Sequence, residues 1–346
     1  MSEKSKVTAE VTGLEDSRIA AGHKKRFRVT QEGIVFALSV AIFLAFAVSV
    51  DAFATASNLS GLVRSVSTLG ILGLGMAIVV IGRGIDASMV ATLVISTACS
   101  FVLASNGMAF ENALLISLVI VLGIGAFIGV LIAYGEVPPI FATLAVGMVV
   151  YGAGRTWLIS LDMQNAPNDQ PWFLFLGQGA FIGIPMPVLI FAIASLATHV
   201  LLHSTRFGWT LYAMGDSPLA ARTTGAPIRP MVVSQYMLAS FIAFGAGLVM
   251  SASVSAINTR LYNSTMVYDV LLVVVLGGIG LNGGHGGVRN VVVGTLLVGI
   301  LLNGMTLLNI NYTLQNLIKA VMLLMAIAID AILNPRDEQT SQQGDI

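Results

Sequence analysis

The sequence predicts an all-α, polytopic membrane protein: a helical bundle of about ten transmembrane segments, some of them short or broken, with both termini in the cytoplasm. Three observations support this prediction. Only 10% of the 346 residues are charged, against roughly 25% in ordinary soluble domains. Long apolar runs recur along the chain. Lysine and arginine also gather on one side of the topology that these runs produce.

Charged residues concentrate at the two ends of the chain. Residues 1–32 hold 12 of the 34 charged residues and 334–346 hold 4, which leaves 18 for the 301 residues between them. We therefore expect a cytoplasmic basic head at 1–32, a transmembrane domain at 33–333 and a cytoplasmic tail at 334–346. The net charge is zero, and no basic stripe occurs outside the head. These features argue against a nucleic acid partner.

The transmembrane prediction rests on ten apolar runs. They lie at about 33–50, 60–82, 87–104, 112–134, 140–161, 186–203, 231–257, 268–281, 291–308 and 314–333. Most approach the roughly 20 residues that cross the hydrocarbon core. The eighth is short, so we expect it to be broken or partly re-entrant. The first run exceeds the roughly 7 to 15 apolar residues of a cleavable signal, which favours a retained helix.

The orientation follows from the basic residues. With the head inside and ten crossings, 13 of the 17 Lys and Arg residues face the cytoplasm, and Arg64, Arg155 and Arg260 face outwards. Lys319 falls within the last run. This asymmetry fits the positive-inside rule.

Two segments outside the membrane are long enough to carry structure. The outer one, at 162–185, mixes polar residues with Trp172 and Phe173. It could receive an external partner or form a loop anchored at the interface. The inner one, at 204–230, contains a short helix that Asp216 or Ser217 can cap and that Gly225 can end. A helix of about two turns must pack on something. It is either a docking element for a partner or a connector lying on its own domain.

Glycine-rich interruptions separate two pairs of runs, at 82–88 and 277–287. Both are expected on the cytoplasmic side, where glycine permits tight turns and close helix approach. Neither contains a phosphate-binding G-x-x-x-x-G-K-[ST] motif. No metal-ligand or catalytic constellation is apparent either, since the four histidines are scattered and Cys99 stands alone.

Several residues within or beside the runs, most of them polar, are candidates for gating or for the solute pathway. The candidates are Gly84, Asp86, Ser88, Asn303, Asn309 and Lys319. Four of them have structural alternatives: Asp86 could cap the third helix, Asn303 and Asn309 could tie helices together, and Lys319 could pair inside the bundle or extend to the interface. Gly123, Gly125, Gly129, Gly245 and Gly247 have spacings that permit close helix contact.

Four motifs, in order, carry a family resemblance. They are Gly84 to Ser88 (GIDAS), Val137 to Leu144 (VPPIFATL), Gly215 to Gly225 (GDSPLAARTTG), and Val275 to Gly278 with Gly283, Gly284 and Gly286. Across about 35–333 the chain resembles the ribose-type permeases of bacterial ABC importers, which are related to the branched-chain amino acid permeases. Arg83 stands where that family usually has Gly, Ala87 where it has Leu, Asp216 where Asn is common, and His285 where Arg or Lys is frequent. These departures leave the substrate open.

The resemblance implies a multi-pass protein of the bacterial inner membrane that translocates a sugar-like solute by alternating access. It implies a second permease subunit, a periplasmic solute-binding protein and a cytoplasmic ATPase that carries ATP and Mg, with no cofactor in this chain. The expected coupling residues are Gly215, Asp216, Leu219, Ala220, Ala221, Arg222 and Gly225. The expected glycine-rich cytoplasmic break comprises Gly277, Gly278, Gly283, Gly284 and Gly286. The alternatives are a secondary carrier, a membrane enzyme and a scaffold.

Overall fold

The computed structural model describes residues 31–167 and 169–333, and within them every predicted apolar run forms a helix. The long apolar helices are α1 (Gln31–Ser49), α2 (Ala56–Ile81), α4 (Phe110–Ala133), α5 (Pro139–Trp157), α7 (Met186–Ser204), α10 (Ile228–Val254), α12 (Val288–Leu307) and α13 (Tyr312–Leu333). The shorter helices are α3 (Met89–Ser105), α6 (Pro171–Gln178), α8 (Arg206–Asp216), α9 (Pro218–Thr223) and α11 (Met266–Leu276), with a 3₁₀ turn at Thr259–Asn263. Four short strands are β1 (Met163–Asn165), β2 (Ala180–Phe181), β3 (Ile184–Pro185) and β4 (Ala256–Asn258).

The polytopic helical fold is confirmed. Eight of the described helices are long and apolar enough to cross a membrane. The eighth predicted run forms α11, which has 11 residues and is therefore short as expected, and α3 is also shorter than a full span, with 17 residues.

The end that carries Arg83, Arg206 and Arg222 is called the inner end, and the end that carries Arg64, Arg155 and Arg260 the outer end. That the inner end faces the cytoplasm stays a prediction. The predicted tail, 334–346, and residues 1–30 of the predicted head lie outside the described residues; the last two head residues, 31 and 32, already belong to α1.

Helix α2 occupies the centre of the bundle. In its most apolar window 89% of the residues are buried, and it packs against α7, α10, α11 and α12. Gly73 and Gly75 allow this crowding, because a Cβ on either would already lie within 3.1 Å of neighbouring side chains. A helix that is apolar on all sides is stable only when surrounded.

Close backbone contacts hold α10 against its neighbours. Gly125 and Gly129 of α4 lie against the backbone of Met237 and Val233, and Gly247 lies against α3. Gly123 and Gly245 face open space instead. The small-residue pattern therefore predicts helix contact correctly at three of these five glycines, where van der Waals packing drives association in lipid.

The outer end is ordered by ion pairs, paired strands and an aromatic cluster. Asp162 accepts hydrogen bonds from Arg155 at 2.7 Å and from Arg260 at 2.7 Å, and β1 pairs antiparallel with β4. Helix α6 adds Phe173 to an aromatic cluster with Phe101 and Phe110. The predicted outer segment, 162–185, thus contains β1, α6 and the β2–β3 hairpin.

A buried ion pair joins α11 to α13. The ammonium of Lys319 lies 2.8 Å from a carboxylate oxygen of Asp269 and donates to Thr265 Oγ1 at 2.7 Å. Only 8% of the Lys319 side chain and 14% of the Asp269 side chain are exposed. Of the two alternatives for Lys319, pairing inside the bundle is the observed one. Asp269 was not among the predicted site residues.

Replacing Lys319 with Met should lower the stability of the protein by about 3–5 kcal/mol, because Asp269 would stay buried without its counter-charge. The double variant Lys319→Met/Asp269→Leu should recover most of the loss. Thermal melting of the purified protein in detergent measures both effects. A double variant as unstable as the single one would contradict this account of the pair.

Candidate functional site at the inner end

Helix α9 begins and ends as its sequence predicts. Ser217 caps the N-terminus, since its hydroxyl accepts a hydrogen bond from Ala220 N at 3.3 Å, and Pro218 occupies the first turn. Gly225 follows the helix with a φ of +82°, the left-handed conformation that glycine adopts at low cost. Of the two candidate caps, Ser217 is the one used, and Asp216 is the last residue of α8.

The two alanines of α9 have different surroundings. Leu219 is 69% exposed, and Ala220 and Arg222 are exposed with it. Ala221 is only 4% exposed, on a helix that contacts α8 and α10. The resemblance places Ala220 and Ala221 together among the expected coupling residues, but in the structure Ala221 packs α9 onto its own domain. The face open to a partner is formed by Leu219, Ala220 and Arg222.

Helix α8 supports α9 and was not foreseen as a separate element. Thr205 caps it by accepting from Gly208 N at 3.3 Å, and its apolar face buries Leu211 and Met214. The hydroxyl of Tyr212 donates to the carbonyl of Gly286 at 2.7 Å. Burial raises the pKa of Tyr212 above its ordinary value, so the hydroxyl remains a donor to a higher pH than that of an exposed tyrosine. The sequence signal for α8 was present in its amphipathic spacing.

The two glycine-rich interruptions meet at the junction of α8 and α9. Gly215 lies against the carbonyl of Ile81 and the amide of Gly284, which leaves no room for a Cβ. Gly284 N donates to Ile81 O at 2.8 Å. Gly278, Gly283, Gly284 and Gly286 all have φ between +75° and +100°, where a Cβ would be strained. Gly277 has an ordinary φ, and it packs against the backbone of Asn290.

Arg83 joins all three segments. Its Nε donates to the carbonyls of Gly215 at 2.6 Å and Asn282 at 2.8 Å, and its Nη2 donates to the carbonyl of Asp216 at 2.8 Å. The residue itself has a φ of +64°. We call Arg83, Gly215, Asp216, Asn282 and Gly284 the inner junction. Sequence reasoning noted Arg83 as a departure from the family pattern but gave it no role.

Asp86 lies just beyond this junction and is fully buried. One carboxylate oxygen accepts from the amide of Ser88 at 2.9 Å and from its hydroxyl. Asp86 therefore organises the turn that begins α3, in line with its predicted structural alternative, although Ser88 occupies the cap position itself. Gly84 lies against the hydroxyl of Tyr236. A gating role for Gly84, Asp86 and Ser88 stays a prediction.

The remaining pathway candidates lie towards the outer end and do not join one site with Asp86. Asn303 and Asn58 exchange two side-chain hydrogen bonds of 2.9 Å each, which tie α12 to α2. Asn309 has a φ of +53° two residues after α12 ends, a conformation that asparagine tolerates. For Asn303 the helix-tying alternative is what the structure shows.

Comparison with known proteins assigns the chain to a family. The family model described as "Branched-chain amino acid transport system / permease component" matches residues 58–327, more than half of the chain. The chain belongs to this permease family.

Several curated proteins of similar sequence are sugar permeases by name. The ribose import permease protein RbsC of Escherichia coli K12 is 29% identical over 307 residues, covering 88% of this chain and 95% of that protein. RbsC of Bacillus subtilis 168 is 30% identical over 273 residues, covering 79% of this chain and 84% of that protein. The L-arabinose ABC transporter permease protein AraH of Azospirillum brasilense is 29% identical over 306 residues, covering 87% and 88% respectively. No solved structure matches the chain significantly.

These findings confirm the resemblance and bring the chain into a transport family, not an enzyme family. The inner junction and α9 fall within the matched residues. The roles of individual junction residues stay predictions.

Replacing Gly215 with Ala should destabilise the permease by about 1–3 kcal/mol, because the new methyl group meets backbone atoms of Ile81 and Gly284 that cannot rotate away. Gly123→Ala is the matched control: it also lies in a helix but meets nothing within 4 Å, so it should be neutral or slightly stabilising. Thermal melting of the two purified variants tests the contrast. Equal melting temperatures would show that the inner junction is not tightly packed.

Proposed function

We propose that this permease is the membrane-spanning subunit of a bacterial ATP-binding-cassette importer that moves a sugar or sugar-like solute across the inner membrane. Family membership and the names of the similar proteins support the class. The observation that carries the proposal is the two-sided helix α9. One side offers an exposed face to a partner, and the other is anchored by Ala221 beside the inner junction.

This arrangement can transmit force. A partner that pushes Leu219 and Arg222 moves a short rigid helix, and that helix is attached through Gly215 and Asp216 to the ends of α2 and α11. Packed helix bundles change between discrete arrangements rather than deforming continuously. A displacement at α9 can therefore shift the bundle between inward-open and outward-open states.

The proposed partners are those that such an importer requires. A cytoplasmic ATPase docks on α9 and supplies ATP and Mg, while this chain contributes no catalytic residue and no cofactor. A periplasmic solute-binding protein delivers the solute at the outer end, where Arg260 and the β1–β4 pair present a folded surface. A second permease subunit, identical or related, completes the transport unit in the lipid bilayer.

The proposed substrate class comes from the relatives whose names specify ribose or arabinose. Identity near 29% favours the class without selecting one sugar. D-Ribose and L-arabinose are therefore the first probes.

A secondary carrier that needs no ATPase is the second candidate. The buried charges of Asp86, Asp269 and Lys319 favour it, because ionisable groups inside a bundle can couple transport to an ion gradient. In this structure, however, Asp269 and Lys319 neutralise each other and Asp86 holds a helix start. Dependence of uptake on the ATPase separates the two candidates.

Uptake of labelled D-ribose and L-arabinose should require ATP, the cognate ATPase and the binding protein in proteoliposomes. Leu219→Asp should abolish most of that uptake, since it puts a charge where the partner buries an apolar anchor, a change that costs about 2 kcal/mol or more in binding. Because Leu219 is exposed in the isolated chain, the variant should still insert and melt normally.

Leu219→Met is the control and should transport normally, because it preserves the apolar character of the anchor. Unchanged ATPase binding by Leu219→Asp would remove the docking role of α9. If an ion gradient drove uptake without ATP, the importer proposal would be wrong and the chain would be a secondary carrier.

A further inference from the structure

Arg83 stands at the point where three chain segments meet. Its guanidinium donates to one carbonyl of the loop after α11, at Asn282, and to two at the α8–α9 boundary, at Gly215 and Asp216. Arg83 itself follows the last turn of α2. One side chain therefore connects the end of the central helix α2, the loop after α11 and the base of α9.

The backbone conformation of Arg83 indicates that the side chain is needed there. A φ of +64° is uncommon for residues that carry a Cβ, and glycine adopts it freely. Neighbouring positions with positive φ, Gly283 and Gly284, are glycines. An arginine in this conformation points to a contribution from the guanidinium that offsets the backbone cost.

The three acceptors suit arginine better than lysine. They are main-chain carbonyls of two separate segments, the end of α8 and the loop after α11. The planar guanidinium directs several N–H groups at once, whereas an ammonium is a single compact point charge. Because the three acceptors are main-chain carbonyls, these bonds fix the position of the backbone. Tyr212 adds another hydrogen bond from α8 to the second loop, at Gly286.

We propose that Arg83 is a positioning residue that makes α9, α2 and the loop after α11 move as one unit. Without the guanidinium, α9 still docks on its partner, but its displacement is no longer passed fully to the bundle. Partner ATP hydrolysis then continues while less solute is moved per ATP. This inference rests on the proposed function and identifies the residue through which α9 acts.

The experiment compares wild type, Arg83→Gly, Arg83→Lys and Arg289→Gln in proteoliposomes with the ATPase and the binding protein. The probe is whichever of D-ribose and L-arabinose the wild type takes up, and the readout is solute moved per ATP hydrolysed. Arg83→Gly removes the guanidinium and relieves the backbone, so its fold should be retained. Arg289 is an exposed arginine in the first turn of α12 and serves as the control.

In Arg83→Gly, solute moved per ATP should fall by about five-fold or more, the usual lower range of coupling between sites, with ATPase activity largely retained. Arg83→Lys should be intermediate and Arg289→Gln unchanged. A purely structural role would lower the melting temperature and the amount of protein but leave the ratio constant. An unchanged ratio in Arg83→Gly, or an equal fall in Arg289→Gln, would overturn the inference.

Hydrogen exchange gives a second, independent measurement. In wild type, trapping the ATPase with ATP should change the exchange of the segments 215–225 and 279–286 together. In Arg83→Gly, or in Arg83→Lys if the glycine variant fails to insert, the first segment should respond and the second should not follow. A joint response in these variants would overturn the inference while wild-type uptake still depended on ATP. Wild-type uptake without ATP would instead remove the proposed function, and this inference with it.

Discussion

The structure depends on the requirement that backbone polar groups buried away from water find partners within the protein. Within a helix the backbone groups bond one another, but the last carbonyls of a helix have no partner inside it. Helices α2 and α11 both end beside other segments of the bundle. There the amide of Gly284 bonds the carbonyl of Ile81, and Arg83 supplies donors to the carbonyls of Asn282, Gly215 and Asp216. The inner junction is the solution to a hydrogen-bonding problem, and it brings the base of α9 against the membrane domain as a result.

Glycine allows these contacts, because the backbone of one segment can approach the backbone of another where a side chain would block it. Gly215 could not carry a Cβ beside Ile81, and Gly125 and Gly129 bring α4 onto the backbone of α10. Because lipid offers no hydrophobic force between helices, such close packing supplies much of the stability. The bundle is therefore rigid where α9 is attached to it, which is the mechanical condition for a displacement at α9 to be transmitted.

Charged side chains within the bundle and at its outer end likewise find partners inside the protein. At the outer end Asp162 gathers Arg155 and Arg260, and inside the bundle Lys319 and Asp269 satisfy each other between α11 and α13. Pairing keeps buried charge from carrying an uncompensated desolvation cost. The permease thereby retains charged groups at the start of the short helix α11 without leaving either one unpaired.

The sequence by itself determined the number and order of the apolar helices and the shortness of α11, and it narrowed the cap of α9 to Asp216 or Ser217, because each depends on local composition and spacing. It also marked Gly215, Asp216 and Gly284 of the inner junction, because they lie in the motifs that carry the family resemblance. Only the tertiary structure decided that Arg83 reaches Gly215, Asp216 and Asn282, that Lys319 pairs with Asp269, and that Ala221 is buried while Ala220 is exposed. These partners are up to 199 positions apart in the chain. No local pattern encodes them, because they arise from how helices far apart in sequence pack together in space.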